Sequence, residues 1–297
     1  TARACTTSPD ASVERITRHP APAHTRRLET TLEFKELTYE QDGHVLTLTL
    51  NRPERMNALN KNLLKVELPA AFRRAREDAS VRVVILTGAG EKAFCSGADL
   101  KDAAETGSIG GTNGPSQGPY YRGTPTDFLH VGFDKPVIVA VNGMCLGAGL
   151  HFVADGDLIL AADHATFFDT HVRVGQVFAL ESIGLMRRMP FGEVMRMMLL
   201  SGTERLDALT ALRLGLVSEV VPHADLMQRA RQHAATIAEF SPATIAASKR
   251  AMWEALDRGL FDALENGWRY IYAHWNHPDY VEGPRAFAAK RKPEWKV

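Results

Sequence analysis

The chain has 297 residues, 45% of them hydrophobic and 24% charged, with 35 basic side chains balanced by 35 acidic ones. That length holds one large domain, or one domain with a smaller appendage. The zero net charge argues against a generally basic nucleic-acid-binding face, and no apolar run approaches the ~20 residues of a membrane span. Cys5, Cys95 and Cys145 form no CxxC pair and no zinc spacing. No metal site is expected, and a cytoplasmic, reducing compartment is.

Residues 1–32 are rich in Thr, Pro, Ala and Arg and carry no apolar period, so a disordered extension is expected. Five arginines against three acids leave an organellar presequence as the alternative. In "GHVLTLTLNRP" (43–53), Val45, Thr47 and Thr49 alternate with Leu46, Leu48 and Leu50, which is strand spacing, and Pro53 stops it. "NALNKNLLKVELPAAFRRAREDAS" reads as helix, with Asn57 as candidate N-cap and Pro69 as a candidate kink. "VRVVILTGAG" and "KPVIVAVNG" read as buried strands, and "GDLILAADHATFF" holds two more. Residues 106–127 form a Gly/Pro/Ser/Tyr-rich loop, long enough to be functional or mobile. His130 closes it and is read as a surface histidine, with a swing over the site as the alternative. From residue 190 the pattern is helical: 190–201, 207–215, 223–240, 242–258 and 260–275. Strand–helix repeats followed only by helices predict an α/β core with a helical C-terminal section.

Five segments stand in order: "LNRPERMNAL", "AFCSGADL", "KPVIVAVNGMCLGAGLHFVADGDLILAADHATF", "SGTERLDALTALRLGLVSEVV" and "FAAKRKPEW". Together they resemble the crotonase superfamily (enoyl-CoA hydratase/isomerase) over about residues 33–297. The resemblance implies an α/β fold, with a crotonase-like ββα spiral core over 33–235 and a C-terminal helical trimerisation region over 236–297. It implies a homotrimer or hexamer, an acyl-CoA thioester as substrate, and an enolate held by two backbone N–H groups. No cofactor is implied beyond coenzyme A as part of the substrate, and neither a nucleic acid nor a membrane is expected as partner. Matched residue by residue, the oxyanion donors are the N–H groups of Ser96 and Ala148. Small residues there admit a ligand close to the backbone. The CoA-binding set implied is Arg52, Arg55, Met56, Ala58, Ser96, Gly97, Ala98, Asp99, Gly147 and Lys290.

One departure bears on the chemistry. Hydratases of this family flank the reacting carbons with two glutamates; here the matching positions hold His151 and His171. An imidazole titrates near neutrality without tuning. A pair sharing one proton carries a positive charge, where two glutamates sharing one carry a negative charge. That favours enolate formation or carbon–carbon cleavage. Asp155, four residues after His151, and Asp169, two before His171, are candidates to orient an imidazole, while Asp157 is read as structural. The position where isomerases and dehalogenases of the superfamily often hold aspartate is Ala179. Glu181, two residues on, is read three ways: the catalytic carboxylate, an acid facing the substrate's tail, or an ion-pair partner of Arg187 or Arg188. The function expected is an acyl-CoA lyase of hydratase type. The alternatives are a retro-Claisen hydrolase of 1,3-diketones, as in the superfamily's β-diketone hydrolases, an acyl-CoA isomerase, or an inactive acyl-CoA-binding homologue.

Overall fold

The computed structural model describes residues 33–106 and 133–296. The N-terminal extension, nearly all of the 106–127 loop, and His130 lie outside the described residues. Strands β1 (Leu37–Asp42) and β2 (Val45–Leu50) form an antiparallel hairpin. In β2 the three leucines are fully buried and the residues between them half-buried, as the alternation predicts.

The chain then winds in turns of two strands and a helix. Each turn lays its first strand in one sheet and its second in another. β3 (Val83–Gly88), β5 (Val137–Val141) and β7 (Leu158–Ala162) extend the large sheet in parallel, in the order β1-β2-β3-β5-β7-β10, with β10 (Glu219–Val221) at the edge. β4 (Ala93–Cys95), β6 (Met144–Leu146), β8 (Thr166–Phe168) and β9 (Leu206–Asp207) make the small sheet. The central parallel strands are covered on both faces and are therefore continuously apolar, as "VVILTG" and "VIVAV" are.

The helix after β2 starts later than the sequence predicts. Asn57 lies at φ 55° and does not cap it; Asn60 does, its side chain accepting the N–H of Leu63 at 2.9 Å. A wide turn over Leu63–Glu67, in which the Leu68 N–H reaches the Leu63 carbonyl, precedes α1 (Leu68–Glu77). The wide turn accommodates Pro69, which has no N–H to donate and whose ring would crowd a normal helical carbonyl behind it. α2 (Leu100–Thr106) follows β4, and α3 (Leu150–Asp155) follows β6. α4 (Leu180–Leu185), α5 (Phe191–Leu200) and α6 (Ala208–Leu214) precede β10. α7 (Leu226–Ala238) packs on the large sheet through Leu226, Ala230, Ala234 and Ala238, a stripe at every fourth residue. α8 (Pro242–Ala255), α9 (Leu260–His274) and α10 (Pro278–Ala288) complete the chain. Among the described residues, no helix is long and apolar enough to cross a membrane.

Candidate active site

Two glycine turns face each other where β4 and β6 end. Gly97 (φ 79°) follows β4 and Gly147 (φ 53°) follows β6, both in the left-handed region that a side chain disfavours. A Cβ on Gly97 would stand 3.0 Å from the Leu146 carbonyl and 3.2 Å from the Ala148 nitrogen. The turns are thus pressed together with no room for a side chain between them. Ala148 lies in the first turn of a short 3₁₀ segment, Gly147–Gly149, which runs directly into α3. N–H groups at such a start have no acceptor within the helix and favour an anionic oxygen. The Ser96 N–H is already engaged, donating to the Met56 carbonyl at 3.1 Å.

α3 presents His151, and its placement is set by its neighbours in sequence. Leu150 and Phe152 are both fully buried, and Phe152 meets Phe94 of β4 edge-on, ring centres 5.9 Å apart. Burying such a phenylalanine contributes roughly 1.5–3 kcal/mol, so the helix that carries His151 is firmly seated.

β8 delivers the second imidazole. Asp169, fully buried just past the strand, accepts the His171 backbone N–H at 2.8 Å and the His171 Nδ1–H at 2.5 Å. Asp169 therefore fixes the tautomer and leaves Nε2 facing the site. The ring of Phe178 stacks on the other side, 5.5 Å away and 28° from parallel. His171 also borders the glycine turn: its Cε1 lies 3.7 Å from where a Gly147 Cβ would be.

Glu181, in the first turn of α4, joins the two. Its Oε1 is 3.1 Å from His151 Nε2 and 3.6 Å from His171 Nε2, and the residue is only 6% exposed. Burial pushes the Glu181 carboxyl up, but the hydrogen bond and charge of His151, with the charge of His171, outweigh it and hold the group below the usual range. Burial likewise opposes the His171 cation; the Asp169 hydrogen bond and the charges of Glu181 and Asp169 win, and its pKa is raised. The site is thus a carboxylate between two imidazoles, one of them backed by a second carboxylate, beside a turn that offers backbone N–H.

Of the sequence-predicted residues, His151, His171, Glu181, Gly97, Gly147 and Ala148 come together here. Of the three readings of Glu181, the ion pair with an arginine does not occur. Arg187 pairs with Asp257 and bonds the Leu256 carbonyl, while Arg188 caps α3 by bonding the carbonyls of Ala154 and Gly156. Asp169 is an imidazole orienter and Asp155 is not: one Asp155 oxygen has no hydrogen-bond partner. Asp157 ties the end of α3 to β5 and α8, accepting from the Val137 N–H, Lys249 Nζ and Trp253 Nε1.

The implied CoA-binding residues are more dispersed. Arg52 is engaged by Glu36 and Asp99, both at 3.1 Å, and by the Ala58 carbonyl at 2.6 Å. Asp99 also accepts the N–H groups of Lys101 and Asp102 at the start of α2. Ala98 pairs with Leu59 in an isolated bridge. Met56 (φ 52°) borders a groove of about 350 Å³ lined also by Pro53, Asn57, Gly90 and Lys92. Arg55 and Lys290 are exposed, and among the described residues no contact joins either to the histidine cluster. Phe178 went unread in the sequence; its one signal is an aromatic within "VGQVFALE", between His171 and Glu181.

A ββα spiral that sets a backbone N–H turn against a buried proton-transfer cluster defines a protein suited to polarising a carbonyl and moving protons beside it. A family model described as enoyl-CoA hydratase/isomerase matches residues 40–297, and the chain belongs to that family, within the crotonase superfamily. Among curated relatives, (E)-benzylidenesuccinyl-CoA hydratase of Thauera aromatica is 36% identical over 266 residues, covering 88% of this chain and 98% of that one. Carnitinyl-CoA dehydratase of Proteus mirabilis is 37% identical over 261 residues, covering 86% and 95%. Among solved structures, an enoyl-CoA hydratase/isomerase from Mycobacterium paratuberculosis superposes with a TM-score of 0.82 at 36% identity, covering 89% of this chain and 99% of that one.

Proposed function

We propose that the chain is a lyase of hydratase–dehydratase type that adds water to, or removes it from, an enoyl-CoA thioester. The observation that carries this is the Glu181 carboxylate within 3.6 Å of both imidazoles, next to the Gly147–Ala148 turn. In the hydration direction, the thioester oxygen takes the Ala148 N–H. The Ser96 N–H joins by exchanging the Met56 carbonyl for that oxygen. Glu181, with His151, takes a proton from water as the hydroxyl adds to Cβ. The resulting enolate collects a proton at Cα from the His171 imidazolium, and Glu181 returns its proton to His171. Coenzyme A enters only as part of the substrate, with no separate cofactor. The active form is a homotrimer, or a hexamer of paired trimers.

The test follows enoyl-CoA absorbance with crotonyl-CoA and cinnamoyl-CoA as probes. Turnover is expected, with Glu181→Gln and His171→Ala each lowering kcat by about 10²–10⁴. A wild-type protein that neither turns over nor binds these thioesters by calorimetry would sink the reading. So would unchanged turnover in both variants. A second reading, retro-Claisen cleavage of a 1,3-diketone, is favoured by one observation, the Asp169-backed His171. Calorimetry with free CoA against a diketone separates the two.

A further inference from the structure

We propose that Gly184 is a positioning residue, which holds Glu181 between the two imidazoles by letting α4 close on α3 at Ala154. This deepens the acid–base reading given above and rests on it for its meaning in catalysis, though not for its test.

The geometry is a seam between two short helices. Along α3, His151 and Ala154 are one turn apart; along α4, so are Glu181 and Gly184. The partners are matched in order: His151 meets Glu181 at 3.1 Å, and Ala154 lies under Gly184. The helices therefore run the same way, side by side, with the functional contact at one turn and the steric contact at the next. A Cβ on Gly184 would stand 2.8 Å from the Ala154 Cβ. Real Cβ atoms do not approach so closely, and an alanine methyl on a seated helix cannot swing aside. Ala154 is 2% exposed and its carbonyl is clamped by Arg188. Any side chain at 184 must lift α4, and with it Glu181, away from α3. Intrinsic propensity argues the other way, because alanine in place of a helical glycine is stabilising where nothing intervenes. The groups facing Glu181 are His151 and His171; Asp155, 3.9 Å from the missing Cβ, faces the seam from α3.

The test reads the imidazole directly, without substrate. In Gly184→Ala, the NMR titration midpoint of His171 is expected to fall by about one pH unit, because a carboxylate at contact distance has withdrawn. Turnover, where measured, is expected to lose about a hundredfold in kcat with KM little changed. The double variant Ala154→Gly/Gly184→Ala removes the methyl that the new one would strike, and the His171 midpoint returns to the wild-type value. Should Gly184→Ala not fold, the double variant decides alone: a wild-type titration supports the seam and a displaced one overturns it. An unchanged midpoint in Gly184→Ala, or a double variant that titrates like the single, also overturns it. A displaced midpoint in a protein without enoyl-CoA turnover would uphold the seam while refuting the hydratase reading.

Discussion

At Asp155 the fold buries a carboxyl that is 8% exposed and leaves one of its oxygens without a hydrogen-bond partner. Burial pushes it up to about 7, against the opposing pull of Arg188 and Lys249. The unfolded chain releases this proton near the ordinary carboxyl value of 3.8. From about pH 4 to about pH 7 the native state therefore binds a proton that the unfolded state has lost, and stability falls as pH rises through that window. The loss is at most on the order of 4 kcal/mol for a displacement of this size. Asp155→Asn removes the titration, so its melting temperature is expected to match or trail wild type at pH 4.5 and to exceed it by several degrees at pH 8. Parallel melting profiles across that range would refute the assignment. Helical spacing placed Asp155 on the face of His151, but spacing describes only the residue's own helix. α3 stops at Asp155, so the carboxyl meets Gly184 of the adjacent helix instead. Asp169 was legible as an orienter because its partner is two residues away, where the chain itself limits the geometry.

Elements were legible in proportion to their length and periodicity. α5 through α9 lie within a few residues of the helical runs read from the sequence, and β2, β3, β5 and β7 fall inside their apolar segments. β1 was missed although Asp42–Gly43 is a hairpin signal, because "LTYEQD" is polar on its exposed side. α10 was missed because Gly283 and Pro284 sit inside it. The segment after Pro53 was misread for a better reason: Asn57 is spent on tertiary structure. Fully buried, it accepts the Arg52 N–H at 3.0 Å and donates to the carbonyls of Ala89 (3.0 Å) and Ala93 (2.8 Å), which stitches this loop to the turn between β3 and β4. Asparagine also tolerates the positive φ better than alanine. Asn57→Ala should cost about 3 kcal/mol or more through the unmet backbone partners, read as a lower urea midpoint at constant m.

For the whole molecule, the order of strand–helix repeats followed by helices gave the class, but not the division into two sheets. β4 and β6 have three residues each, too short to show a period, and it is these strands, with the β8 read at the end of "GDLILAADHATFF", that bring the glycine turns and Asp169 to one place. The C-terminal helices pose the last physical question. α9 leaves Leu260, Phe261, Leu264, Trp268, Ile271 and Trp275 each at least 46% exposed, a patch that an isolated soluble chain rarely carries. Its inner side is spoken for: Asn266 and Tyr270 both bond Glu254 of α8, at 2.7 Å each, so the α8–α9 hairpin is rigid and holds the apolar side outward. On its exposed side Trp268, Tyr272 and Trp275 form a ladder of rings 5.3 and 4.7 Å apart, a preordered surface that loses little side-chain entropy on burial. Light scattering is expected to give a mass three times 32.7 kDa, or six times if trimers pair. Trp268→Glu places a charge in the middle of that ladder. It should release folded monomers that keep the wild-type far-UV circular dichroism, because the ring makes no part of the spiral core. A wild-type protein that scatters as a monomer, or a Trp268→Glu variant that stays assembled, would show that the patch is not the subunit contact.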